Sequence, residues 1–261
     1  MRRICSIALA LAISGLLLVP MFLDTKPTNH LSHAPWLTNP LGTTPTGEDV
    51  LAIIFTGGRR LLVDGICCAL VAAVVGGLWA ALEFALSRSF LFGLMQRLRA
   101  VVDAIGPTLP LAAFAAVFPR SPTPVLVIVL GMLAAPSIAG PIYSSSQRAY
   151  SLPHIQASRC LGVRPLRLFW KGVLPEISVV LFPWIGAFAA QAAAFLSGLG
   201  FLGIGIGSQS SLGMRLFDAA GSIRIAPWFF VGASVMTLCV LALSVAAGRM
   251  ATASRVHAPI Q

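Results

Sequence analysis

Long apolar runs separated by short polar breaks occupy almost the whole chain, at about 4–23, 61–86, 100–118, 124–143, 177–199 and 227–248. A helix needs about 20 consecutive apolar residues to cross the hydrocarbon of a bilayer. The runs are continuous rather than alternating with a period of two, so they predict helices that satisfy their own backbone groups, not barrel strands. The predicted fold is all-α: a single transmembrane domain over 1–261, with six spanning helices and no separate soluble module. The first run follows Arg2 and Arg3 in the manner of a secretory signal, but it is longer than a signal core and 20–27 offers no small-x-small cleavage site. It is expected to be a retained span.

The break between the fourth and fifth runs, 151–175, differs from the others. It reads PHIQASRCLGVRPLRLFWKGVLP from Pro153 to Pro175 and is polar and basic. Pro153 suits the start of a helix, and no strong breaker follows until Gly162. Pro165 predicts a turn, Leu166 to Val173 a resumed helix, and Pro175 entry into the next span. A short helix on the membrane face, attached to the ends of two spans, can pass rigid-body motion between those spans and a partner. A solvated basic connection would have the same composition.

Composition narrows the class further. With 57% hydrophobic and 10% charged residues and a mean hydropathy of +0.89, the chain lacks the polar surface of a soluble globule. The net charge of +10 is distributed as a topology signal. With the N-terminus inside, the cytoplasmic side holds Arg2, Arg3, Arg88, Arg97, Arg99, Arg148, Arg159, Arg164, Arg167, Lys171, Arg249 and Arg255. The outer side holds Lys26, Arg59, Arg60, Arg120, Arg215 and Arg224. That asymmetry puts both termini in the cytoplasm. A nucleic-acid partner is not expected, because no soluble basic module exists to bind one. Four cysteines fall in the runs and Cys160 in the inner loop, which suits small packing residues rather than disulfides.

Catalytic patterns are missing. The only lysines, Lys26 and Lys171, follow Thr25 and Trp170, so the chain has no Gly-Lys-Ser/Thr phosphate loop. His-Glu-x-x-His is absent, and Ser197 has Phe195 where a nucleophile elbow needs Gly. His30 and His33 have no third ligand nearby and suit a solvated outer loop better than a metal site. No metal and no bound cofactor is expected.

Ionisable and amide groups within spans are costly and therefore informative. Asp64 and Glu83 lie near predicted span ends, where water or an Arg can satisfy them. Asp103 follows Arg97 and Arg99, which favours a structural ion pair over a substrate contact. Gln191 sits mid-span in FAAQAAAF and needs a partner, on a neighbouring helix or in a wet pathway. Gln191 and Asp103 are the candidates for lining a translocation pathway. The same span is rich in Ala and Gly, with Gly203 and Gly207 in GxxxG spacing, and predicts close helix packing.

Four segments together resemble the binding-protein-dependent ABC permease family, in its dipeptide/oligopeptide/nickel branch. The family's inner loop has Glu-Ala-Ala, a Gly six residues after the Glu, and a later Leu-Pro. Here Gln156, Ala157, Gly162, Leu174 and Pro175 match, while Gln156 replaces the Glu and Ser158 the second Ala. NPLGTTPTGEDVL is similar to the family's Leu-Gly-Thr-Asp-x-x-Gly-Arg-Asp at Leu41, Gly42, Thr43, Gly47 and Asp49, and departs from it at Thr44 and Glu48. GLGFLGIG from Gly198 resembles Gly-Leu-Ser-Phe-Leu-Gly-Leu-Gly, with Leu196 where an acidic residue is common. Ala226, Pro227 and Trp228 open the last span as they often do there.

The resemblance implies a permease subunit of an ATP-driven importer in the bacterial inner membrane, carrying peptides or nickel and metal-chelate solutes. Its implied partners are a second, similar permease, two ATP-binding subunits that use the ATP, an extracytoplasmic solute-binding protein and membrane lipid. The residues implied to dock in the ATPase are Gln156, Ala157, Ser158, Arg159 and Gly162. The loss of the Glu keeps hydrogen bonding at that contact but removes its charge. The competing reading is a secondary transporter or channel-like protein driven by an ion gradient. That class tends to show inverted repeats, interrupted helices and centred carboxylates, none of which is clear in the sequence. An intramembrane enzyme would need a nucleophile or metal set that the sequence does not offer.

Overall fold

A computed structural model describes residues 41–86, 90–118, 122–162, 165–202 and 211–255. Within these residues the protein is helical apart from turns and one bridge between Thr43 and Asp49. The expected span at 4–23, His30, His33, Arg164 and the Gly203/Gly207 pair lie outside the described residues.

The helices are α1 (Val50–Ala85), α2 (Phe90–Ile105), α3 (Thr108–Val117), α4 (Thr123–Ser151), α5 (Pro153–Cys160), α6 (Pro165–Leu168), α7 (Leu174–Phe201), α8 (Leu212–Gly221) and α9 (Pro227–Arg255). A π-helical turn, Phe169–Val173, joins α6 to α7. Among the described residues three helices have the length and hydropathy to cross a membrane: α1, α4 and the continuous stretch Phe169–Phe201. A fourth is added if α2 and α3 form one broken span, and the apolar stretch Pro227–Leu243 of α9 is shorter. The architecture is that of a polytopic membrane protein.

Two expected spans differ from their predicted form. The run 61–86 is only the latter part of α1, which starts at Val50. Arg59 and Arg60 do not end the helix because its first turns are packed: Val50, Ile53 and Ile54 are buried against Ala219, Ala226 and Phe229. The run 100–118 is not one straight helix. Its two halves are bent by 73°, because Gly106 takes a positive φ of 71° and Pro107 cannot continue α2's hydrogen bonds.

α1 is the centre of the bundle and packs most extensively on α4, then on α7 and α9. Small residues make this possible. A Cβ on Gly65 would stand 2.7 Å from the Ala189 carbonyl oxygen, and one on Gly131 would stand 2.9 Å from that of Cys68. The alanine-rich part of α7 is thus a packing surface, with Ala189, Ala192 and Ala193 buried beside Cys68, Ala72 and Leu130. On its other side α1 exposes Leu70, Val74 and Leu78, an apolar face suited to lipid.

Candidate functional site

The matched segments sort to opposite ends of α1. At the Val50 end, LGTTPTGED folds into a tight turn. Gly42 and Gly47 adopt φ of 73° and 82°, which only glycine reaches without strain. The Thr44 and Gly47 amides close the turn at 2.9 Å on the Glu48 and Thr44 carbonyls, and Asp49 Oδ1 caps α1 by accepting from the Leu51 amide at 3.1 Å. The matched glycines and aspartate are therefore explained by backbone geometry. Trp228 Nε1 donates to the Thr43 carbonyl at 3.3 Å, which ties the start of α9 to this turn. Glu48, a departure from the family pattern, accepts from Arg215 Nη1 of α8 at 3.2 Å.

Leu196, where an acidic residue is common, lines a small cavity of about 30 Å³ together with Arg60, Asp64, Thr123 and Ser211. Asp64 of α1 supplies the carboxylate that lines this cavity. The cavity has room for about one water.

At the Ala85 end lies 151–175. α5 starts at Pro153, with Leu152 as its N-cap, and stops as Gly162 turns to φ 72°. Pro165 begins α6 rather than interrupting it. Gln156, Ala157, Arg159 and Gly162 are exposed and Ser158 is half-buried. Gln156 Nε2 donates to the Ser151 carbonyl at 3.3 Å, and Ser158 Oγ donates to that of His154 at 2.8 Å. These groups therefore stay on α5's outer surface, beside exposed Arg148, Arg167 and Lys171.

Ile155, to which the sequence gives no prominence, anchors the inner side of α5. It is 1% exposed and packs with Val173, Leu168, Ile142 and Ile177. The absence of a side chain on Gly172 lets the π turn close over it, since a Cβ there would lie 3.1 Å from Ile155 Cδ1. Phe84 of α1 stacks on Tyr150 of α4, with centroids 5.0 Å apart and planes at 19°. α5 is consequently fixed to α4 and to the entry of α7, and α4 is fixed to the end of α1.

Near that end Glu83 is fully buried and accepts from Arg99 Nη1 at 2.9 Å and from Trp79 Nε1 at 3.0 Å. Arg99 lies across Gly140 of α4, where a Cβ would approach its Cζ to 3.2 Å. The ion pair expected of Asp103 is thus made by Glu83 instead. Asp103 is exposed and accepts from Ser137 Oγ at 2.8 Å. Ser137 lines a cavity of about 170 Å³ with Pro107, Trp184, Ala187, Phe188 and Gln191. Gln191, 88 positions from Asp103 in the chain, lines the cavity directly, whereas Asp103 does not line it and stands one hydrogen bond behind Ser137.

Among the described residues no three His, Cys, Asp or Glu side chains converge in a metal-binding arrangement. The chain matches no protein-family profile. It is similar to the oligopeptide transport system permease protein OppC of Mycobacterium tuberculosis (strain ATCC 25618 / H37Rv), 30% identical over 233 residues, or 85% of this chain and 77% of that protein. The peptide transport system permease protein SapC of Escherichia coli O6:H1 is 27% identical over 202 residues, 75% of this chain and 67% of its own length. The inner membrane ABC transporter permease protein YejE of Escherichia coli (strain K12) is 26% identical over 230 residues, 82% of this chain and 62% of its own.

Proposed function

The chain belongs to the family of peptide and oligopeptide ABC transport permeases, and from that premise we propose that it is the membrane subunit of an ATP-driven peptide importer of the bacterial inner membrane. In this reading it has six spans with both termini in the cytoplasm and forms the pathway with a second, similar permease. It receives cargo from an extracytoplasmic solute-binding protein at the end of the bundle holding Glu48 and Arg215. At the other end the exposed face of α5, with Gln156, Ala157, Ser158, Arg159 and Gly162, docks in one of two ATPase subunits. The subunit performs no chemistry of its own. ATP binding in its partners biases the bundle between inward-open and outward-open packings.

The observation that carries this reading is the mounting of α5. A short helix with a polar, basic outer face is fixed through one buried residue, Ile155, to the ends of two long helices. A push on α5 is then a push on α4 and α7. Peptides are favoured over nickel or metal chelates as cargo because the relatives' names speak of peptides.

The break at Gly106 with Asp103 beside it is a feature that gradient-driven transporters share, and uptake assays separate the two classes. Mild-detergent purification of the tagged chain, expressed with its genomic neighbours, is expected to recover an ATPase and a second permease. Both should be lost when 156–162 is deleted. Recovery of the chain alone, with uptake driven by an ion gradient and indifferent to ATP, would establish the gradient-driven reading instead.

A further inference from the structure

Resting on the importer reading, we infer that the cavity beside Asp103 is a recognition subsite for a cationic group of the cargo, of the ammonium class carried by a peptide's free amino terminus. The permease then selects on charge as well as providing a path.

Four observations converge on it. The cavity lies midway along the bundle: Ser137 is at the centre of α4 (Thr123–Ser151), and Trp184, Phe188 and Gln191 are in the central turns of α7 (Leu174–Phe201). Its polar groups are the Ser137 hydroxyl, the Gln191 amide and, through Ser137, the Asp103 carboxylate.

The neighbouring cation is already committed. Arg99, one turn from Asp103 on the same helix, pairs with Glu83, and among the described residues Asp103 forms no salt bridge. Asp103 is exposed rather than buried, and its charge is not neutralised by a cation among the described residues; a cargo ammonium in the cavity would supply one across the Ser137 hydroxyl.

α2 ends beside it. The break at Gly106, with φ 71°, leaves the last carbonyls of α2 without intrahelical donors, so the negative end of the helix dipole adds to the charge of Asp103. Broken helices present cations with such carbonyl ends. The wall opposite is aromatic: Trp184 and Phe188 stack with centroids 4.8 Å apart and planes at 10°, a surface that tolerates an ammonium group and its apolar neighbours.

The test uses the assembled transporter in proteoliposomes with its own binding protein and ATP. The probes are one tripeptide and its Nα-acetyl form, and the readout is the ratio of their uptake rates. Because the binding protein is the same throughout, a change in ratio belongs to the permease. Asp103→Asn is expected to lower the free-to-acetylated ratio by about tenfold, the scale of one lost charge-assisted contact. Asp103→Glu should keep the ratio near wild type. A ratio unmoved by Asp103→Asn, with normal uptake, overturns the subsite and leaves the importer intact. If Asp103→Asn does not assemble, Gln191→Leu supplies the same comparison, and an unchanged ratio there overturns the inference. Wild-type vesicles that hydrolyse ATP but carry neither peptide overturn the importer reading and the subsite with it.

Discussion

Arg99 and Glu83 meet at 2.9 Å across a sequence separation of 16, with the carboxylate fully buried. The pair joins α2 to the Ala85 end of α1 beneath Gly140 of α4. Breaking a buried pair from one side strands a charge, at a cost of about 3–5 kcal/mol. Arg99→Met is therefore expected to lower the thermal unfolding midpoint in detergent strongly. The double variant Arg99→Met/Glu83→Gln should recover most of the loss, because a neutral amide can still accept from Trp79. A double variant as unstable as the single one would show that the charges are not the reason for the contact.

Gly65 faces the Ala189 carbonyl across the α1–α7 contact. Gly65→Val forces the two backbones apart and should cost about 1–3 kcal/mol, as overpacking does. Gly77, around which there is open space, serves as the control. Gly77→Val is expected to leave the detergent melting temperature close to wild type.

Gly162 turns the chain after α5 at φ 72°, a value closed to proline, whose ring holds φ near about −65°. Gly162→Pro is expected to abolish transport while the chain still inserts and remains stable. Gly162→Ala, at a cost of about 1 kcal/mol for the left-handed conformation, should retain part of the activity. Normal uptake by Gly162→Pro would sink the assignment of 151–175 to ATPase coupling.

Ile155 separates docking from transmission. Ile155→Ala leaves the outer face of α5 unchanged but opens a cavity under it, a loss of about 2–5 kcal/mol in a well-packed site. The ATPase should still co-purify, while the ATP hydrolysed per peptide carried rises. Loss of co-purification would mean that Ile155 shapes the docking surface itself.

Much of this organisation was legible from local signals. Pro153 and Gly162 mark the ends of α5 because a proline suits a helix start and a glycine its end, and both effects operate within a single turn of chain. The apolar runs 124–143 and 177–199 marked most of α4 and α7, because composition alone signals a span, but the polar last turns of α4 up to Ser151 lay beyond the run. That an Arg could satisfy Glu83 was legible, but that it would be Arg99, and that Asp103 would meet Ser137, was not, since both depend on which helix faces which. The start of α1 was missed because Arg59 and Arg60 look like a span boundary, and only the packing of Val50 and Ile53 against α8 and α9 overrides them. The bend at 106 had a signal in the Gly106-Pro107 dipeptide, hidden within a run apolar enough to pass for one helix.

α1 has 36 residues, about 54 Å of helix at 1.5 Å per residue, against a hydrocarbon layer of about 30 Å. One rigid rod thus holds the Asp49 turn at one end and the Phe84–Tyr150 stack at the other. Near its middle is Cys68, fully buried where Gly131 admits α4, and Gly76 brings α4 closer still at Ala135. A rod held at its middle swings its ends in opposite directions. In the importer reading, a tilt of this rod that widens the bundle around Glu48 and Arg215 would narrow it around Tyr150, so one helix would oppose the two ends of the proposed pathway.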